Sequence, residues 1–223
     1  MQMYKIASFE ITDLPLIERI SKTKKPVIIS TGMSNLKEID QAYNLMVRGG
    51  TKNIALLYCV SNYPSKNSDF NLNNINLMKS RYGCEIGLSD HSKNNFVAIN
   101  AAAIGTKIFE KHIALKGQKK GLDIEFSLKG PEIMEYVNDI NNSHNLFKES
   151  KFTRSKSEQK NLFLRRSIYA IKKIKKGEKF TTKNIKCLRP AVGLDPSYFK
   201  SLLKKKNSEN LNPGDPIHKR NIK

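Results

Sequence analysis

Five short apolar runs recur between Tyr4 and Phe109, separated by stretches of helical periodicity, and each stops abruptly at polar residues. They are Tyr4 to Ala7, Pro26 to Ile29, Ile54 to Cys59, Glu85 to Leu88 and Lys107 to Phe109. Apolar runs this short, alternating with helical patterns, are the signature of buried parallel strands. Short loops and right-handed crossovers join such strands into one parallel sheet. The expected fold is therefore α/β, with its chemistry just past the carboxyl ends of the strands. The last two runs carry the most informative ends, Gly87-Leu88-Ser89-Asp90-His91 and Phe109-Glu110-Lys111-His112. Their histidines are 21 residues apart, about one α/β unit. Adjacent strands lie about 4.8 Å apart, so imidazoles on neighbouring strand ends can share one divalent ion. Taken singly, each histidine also fits a hydrogen-bonded core position; the matching strand-end positions favour the shared ion.

The intervening segments carry helix signals. Asp13 offers an N-cap with Pro15 in the first turn, and Asn35 with Glu38 forms a capping box for a helix to about Arg48, stopped by Gly49-Gly50. Helices are expected near Asn74 to Tyr82, Asn95 to Ile104 and Pro131 to Phe147, and Ser61-Asn62-Tyr63-Pro64 reads as an exposed turn. From Lys151 to Lys160 the chain is charged and aperiodic, as a linker is. Beyond it lie a short element at Arg166 to Ala170, a tight turn at Lys175-Lys176-Gly177-Glu178, a brief helix at Thr182 to Ile185 and a helix at Pro196 to Leu203. The expected organisation is a first domain over 1–150, a linker over 151–160 and a small second domain over 161–223.

A formal net charge of +20 raises the question of nucleic acid. However, 32 of the 40 basic residues are lysines, scattered along the chain, and no arginine-rich helix, zinc-finger spacing or aromatic RNA-binding signature accompanies them. A small anionic substrate explains the basicity better. No apolar run reaches the 18 residues that a membrane span needs. Cys59, Cys84 and Cys187 lack CxxC spacing and fit a reducing compartment, so a cytoplasmic location is expected.

Gathered at the strand ends are Lys5, Ser8, Glu10, Ser30, Thr31, Gly32, Ser61, Tyr63, Ser89, His91, Glu110 and His112. Lysine, serine hydroxyls and loop amides are what a phosphate needs. Paired histidines suit a Lewis-acid metal, and nearby carboxylates can move protons. In order and spacing, Lys5-Ile6-Ala7-Ser8-Phe9-Glu10, Ile29-Ser30-Thr31-Gly32-Met33, Gly87-Leu88-Ser89-Asp90-His91 and Glu110-Lys111-His112 resemble the sialic acid synthase family. Gly121-Leu122-Asp123 through Phe126-Ser127-Leu128, and Arg189-Pro190, continue the resemblance. Phe9 to Asp13 and Cys59 to Pro64 are most similar to its pseudaminic acid synthase branch. The tail from about Asn161 resembles the antifreeze-like SAF domain of these synthases, a small β-clip.

The resemblance implies a (β/α)8 TIM barrel, of which this chain supplies the last five strand-helix units. It implies addition of phosphoenolpyruvate to the open-chain aldehyde of an N-acylated amino sugar, releasing phosphate and leaving a nine-carbon 2-keto acid. By position, His91 and His112 would hold Mn2+ or Mg2+. Lys5, Ser8, Ser30 and Ser89 would grip phosphoenolpyruvate. Tyr63 and Asp123 would orient the sugar, with Glu10 and Ser61 on the same side. Arg189 would reach the sugar's acyl group from the small domain of a partner subunit, in a domain-exchanged homodimer. Because three barrel strands carried by relatives have no counterpart here, an inactive sugar- or protein-binding module is the alternative reading.

Overall fold

The computed structural model of this chain describes residues 2–147 and 151–223. The expected domain boundary at residue 150 lies outside the described residues. The chain divides into two compact units, Met1–Glu149 and Ser150–Lys223.

In the first unit, β1 (Tyr4–Ile6), β2 (Val27–Ser30), β3 (Ile54–Cys59), β4 (Glu85–Asp90) and β5 (Phe109–Lys111) lie side by side in sequence order. Every neighbouring pair is parallel. The crossovers are α1 (Leu14–Ser21), α2 (Leu36–Arg48), α3 (Asn73–Arg81) and α4 (Phe96–Ala103). A short parallel pair not anticipated from sequence, β6 (Ile113–Ala114) and β7 (Leu128–Lys129), precedes α5 (Pro131–Leu146). The result is half of a TIM barrel. Among the described residues, β1 and β5 each have a strand neighbour on one side only.

The expected signals act locally. β3 is buried at all six positions, as its continuous apolar run requires of a strand covered on both faces. At the start of α2, Asn35 Oδ1 accepts from Glu38 N (3.1 Å) and Glu38 Oε2 accepts from Asn35 N (2.9 Å), satisfying two otherwise orphaned amides. Asp13 Oδ1 accepts from Leu16 N at 3.0 Å and caps α1. Ile17, Met46, Leu56, Ile75, Leu88 and Ala98 meet in the core. Gly87 is required in β4, because a Cβ there would lie 2.6 Å from the Ile108 carbonyl oxygen.

The second unit departs from expectation in three places. Half of the stretch read as linker forms α6 (Lys156–Lys160), where the Ser155 hydroxyl accepts from Glu158 N at 3.1 Å and Glu158 returns the bond to Ser155 N at 2.8 Å. A capping box can start a helix too short to display an apolar period. The brief helix expected at Thr182 to Ile185 is instead a turn. Asn184 Oδ1 accepts from Thr181 N at 2.7 Å and its amide donates to Lys179 O at 3.0 Å, offering the backbone an alternative to helix. Ile185 already belongs to β9 (Ile185–Leu188), which pairs antiparallel with β8 (Ser167–Ala170). Single bridges such as Ile174 to Leu211 and Lys179 to Lys206 close the unit around Ile168, Ile174, Phe180 and Ile217. The helix expected at Pro196 to Leu203 is a 3-10 turn followed by α7 (Phe199–Leu202). No helix among the described residues is long and apolar enough to cross a membrane.

Candidate active site

Strand pairing brings the two histidine segments together. Ser89 faces Glu110 and Asp90 faces Lys111 across β4 and β5, with His91 and His112 one residue beyond. The imidazole centroids stand 5.2 Å apart. His91 is buried, and its Nδ1 lies 3.0 Å from the Val60 carbonyl oxygen and 3.7 Å from Cys59 Sγ. A carbonyl only accepts, so Nδ1 carries the proton and Nε2 keeps a lone pair for a ligand. Burial opposes charge on His91, but the bonds to Cys59 and Val60 outweigh it and its pKa is raised. Burial likewise opposes a Cys59 thiolate, and the imidazole outweighs it, lowering that pKa. Burial, reinforced by His91, lowers the pKa of His112, against the pull of Asp123.

Asp123 Oδ2 lies 3.8 Å from His112 Nδ1. The residue sits in the left-handed region (φ 65°), which aspartate tolerates, and its carbonyl accepts from Ser127 Oγ at 2.6 Å. Tyr63 places its ring 4.3 Å from His91 and 6.2 Å from His112. Phe126 completes the wall, 5.2 Å from His112 and 5.5 Å from Tyr63.

On the side toward β1, Lys5 Nζ donates to Ser30 Oγ at 2.9 Å and lies 3.4 Å from Glu110 Oε2. Ser89 Oγ donates to Glu110 Oε1 at 2.8 Å. Three of the four residues expected to grip an anion therefore surround a carboxylate of the chain itself. The fourth, Ser8, accepts from Gly32 N at 3.0 Å. A Cβ on Gly32 would collide with the hydroxyls of Ser8 and Ser61, so glycine is what lets these three loops meet.

Two expected residues are placed differently. Glu10 Oε2 accepts from Ala7 N at 2.9 Å across its own 3-10 turn, Ser8–Glu10, so its carboxylate is engaged locally. Arg189 belongs to the second unit, exposed just after β9; the next carbonyl, Pro190 O, accepts from Ser167 Oγ (3.0 Å) and Tyr169 OH (2.8 Å). Three participants had no assigned role. Glu110 was legible as a strand-end acid, because it alternates with His112. Cys59 ends the apolar run of β3, and nothing in that run marks its thiol as a neighbour of His91. Phe126 arrives on a 3-10 turn, Ile124–Phe126, that no periodicity marks.

Among the described residues, no group of three or more histidine, cysteine, aspartate or glutamate side chains is placed to hold a metal. The two imidazoles still fit one divalent ion by their chemistry: they stand on adjacent strand ends, and one ring has its tautomer fixed by a carbonyl, which leaves its other nitrogen free to ligate.

The NeuB family model matches residues 1–151 and the SAF domain model residues 165–223. The chain is 39% identical over 216 residues to the pseudaminic acid synthase of Helicobacter pylori, covering 96% of this chain and 64% of that protein. It is 36% identical over 214 residues to the pseudaminic acid synthase of Campylobacter jejuni serotype O:2, covering 96% and 62%. The crystal structure of N-acetylneuraminic acid (sialic acid) synthetase from Leptospira borgpetersenii, in complex with citrate, matches with a TM-score of 0.66 at 32% identity, over 73% of this chain and 56% of that one. The chain thus spans less than two thirds of the length of these relatives. The half-barrel, its strand-end residues and the small second unit have one common explanation: the chain belongs to the NeuB family and carries a SAF domain.

Proposed function

We propose that this chain supplies the metal-binding half of a nonulosonic acid synthase of the pseudaminic acid type. Phosphoenolpyruvate forms a bond from its methylene carbon to the aldehyde carbon of an open-chain N-acylated amino sugar. Water adds at C2 and the carbon–oxygen bond to phosphate breaks, giving a nine-carbon 2-keto acid and phosphate. The observation that carries this reading is the His91–His112 pair, 5.2 Å between rings, beside the Lys5–Ser30–Ser89 cluster.

His91 and His112 would hold Mn2+ or Mg2+, which supplies Lewis-acid polarisation of the aldehyde oxygen. Lys5, Ser8, Ser30 and Ser89 bind phosphoenolpyruvate, whose anionic groups take over the partners that Glu110 now holds. Tyr63 and Asp123 orient sugar hydroxyls, with Ser61 and Glu10 at the edge of that side. Arg189 of a partner subunit's SAF domain contacts the acyl group in a domain-exchanged homodimer. Residues 1–150 form the barrel part, 151–160 join the parts, and 161–223 form the SAF domain of a cytoplasmic enzyme. Closing the barrel takes three further strand-helix units from another polypeptide segment. The open edges of β1 and β5 also favour a second reading, a module that binds sugar or protein without turnover.

The test is co-expression with the first three strand-helix units of the Helicobacter pylori relative. Phosphate release from phosphoenolpyruvate should then depend on Mn2+ and on an N-acylated amino sugar. Metal binding with no phosphate release from any such sugar leaves the binding module.

A further inference from the structure

Directly behind the paired histidines lies a buried ion pair that the reaction above does not use. Asp90, fully buried, and Lys111, with a side chain 5% exposed, are register partners on β4 and β5, joined at 3.1 Å. Each immediately precedes a histidine. Because side chains alternate along a strand, Asp90 and Lys111 turn away from the face that carries Ser89, Glu110 and the imidazoles. There Tyr136 of α5 donates to Asp90 Oδ2 at 3.2 Å. Asp90 Oδ1 accepts from Ser92 N at 2.8 Å, and Lys111 Nζ donates to Ser92 O. His91 is thereby bracketed: the residue before it bonds to the amide of the residue after it, and the lysine preceding His112 holds that same residue's carbonyl.

We infer that Asp90 and Lys111 are positioning residues that fix the spacing of His91 and His112 for a shared divalent ion. The inference rests on the metal reading above. A buried ion pair is a poor way to stabilise a fold, since apolar residues of similar volume serve as well or better, whereas loss of one partner strands a charge. This pair does more than neutralise itself. It spends its remaining bonds on the backbone on both sides of His91, and the lysine ammonium also lies 5.6 Å from the centroid of the Tyr136 ring. Two strands that each place one metal ligand beyond their last paired residue need such a cross-tie, because the ladder ends at Asp90 and Lys111.

Calorimetric titration of the full 223-residue chain with Mn2+ alone, beside thermal melts, separates positioning from simple stability. Asp90→Asn and Lys111→Met should each weaken Mn2+ binding roughly tenfold, the lower end expected for supporting residues around a metal. The double variant strands no charge and should recover the melting midpoint without recovering affinity. Tyr136→Phe, which keeps both charges, should lose a few-fold and covers the case in which a single charge deletion does not fold. Histidine ring 15N shifts should move in the folded variants, with the His91 and His112 signals affected and the His218 signal not. If the folded double variant and Tyr136→Phe bind Mn2+ within twofold of the parent while His91→Ala abolishes binding, the positioning role is overturned and the metal site stands. If His91→Ala leaves Mn2+ affinity unchanged, the metal reading fails and takes this inference with it.

Discussion

The Ser89 hydroxyl donates to Glu110 Oε1 at 2.8 Å, so the carboxylate of one strand end occupies the serine that the neighbouring strand offers to an anion. Glu110 also takes Lys5, and its side chain remains 40% exposed. An incoming phosphate must displace this group or sit beside it. Like charges about 4 Å apart repel appreciably even in a polar protein surface, and solvent screening leaves about 1 kcal/mol. Glu110→Gln should therefore bind inorganic phosphate about fivefold more tightly than the parent chain, measured by calorimetry. Unchanged or weaker binding would place the anion elsewhere.

His91→Ala and His112→Ala should each abolish Mn2+ binding with little change in the far-ultraviolet circular dichroism spectrum. His144, whose Nε2 lies 2.8 Å from Thr106 O on the outer layer, and His218 in the second unit provide controls. Metal affinity retained in either site variant would sink the shared ion.

Mn2+ and protons compete for the same nitrogens, so the raised pKa of His91 sets the upper limb of the pH dependence. Affinity should begin to fall above pH 6.5 as the pH is lowered and fall more steeply once His112, whose pKa is lowered, also protonates. Without metal the two histidines act oppositely on stability. His91 binds its proton more tightly when folded, a gain fully present below the unfolded pKa and lost as pH rises through the folded one. His112 binds its proton less tightly when folded, so its contribution disappears above the unfolded pKa and becomes a penalty below it. Competition titrations between pH 5 and 8 check the metal limb; a pH-independent affinity contradicts it.

If Arg189 serves a partner's site, mixing Arg189→Ala with His112→Ala chains should restore activity in the co-expressed preparation to roughly a quarter of wild type. One intact composite site forms in each mixed dimer, and half the dimers are mixed. Phosphate release from the mixture no higher than from either parent would assign Arg189 to its own subunit's site or to none.

Among the described residues, the outer edges of β1 and β5 have no strand neighbour, and apolar side chains stand exposed close to them in sequence: Met3 at 50%, Phe9 at 63%, Ile113 at 65% and Leu115 at 78%. Open apolar edges recruit strands. The 223-residue chain alone should self-associate in light scattering and release no phosphate, and the three-unit complement should disperse it. A monodisperse, active chain would refute the half-barrel as its working state.

Sequence reading located β3 residue for residue, because a strand covered on both faces must be apolar throughout. The apolar runs of β4 and β5 stop at Leu88 and Phe109, whereas pairing continues through the polar strand ends to Asp90 and Lys111. The backbone ladder does not depend on side-chain polarity, and these polar residues satisfy one another. The same blindness hid the ion pair: nothing in Ser-Asp-His or Glu-Lys-His says that the middle residues face inward toward α5. Residues assigned to the mouth by strand ends, among them His91, His112, Ser89, Ser30 and Lys5, do meet there. Phe126 and the turn closed by Asn184 depend on loop geometry, which has no period to read.

The sequential order of β1 to β5 bears on how such a barrel tolerates division. Every seam in this sheet joins consecutive units, so no strand lies threaded between two distant ones. A break between units of a closed barrel opens one seam at the break and another where the ring would have met, and leaves the strand pairing within each piece intact. The five-strand piece keeps its four seams and both histidines on adjacent strands. Its sheet is thus modular in the way a zip fastener is: every bond between its strands is closed, and what stands open lies along the two outer edges.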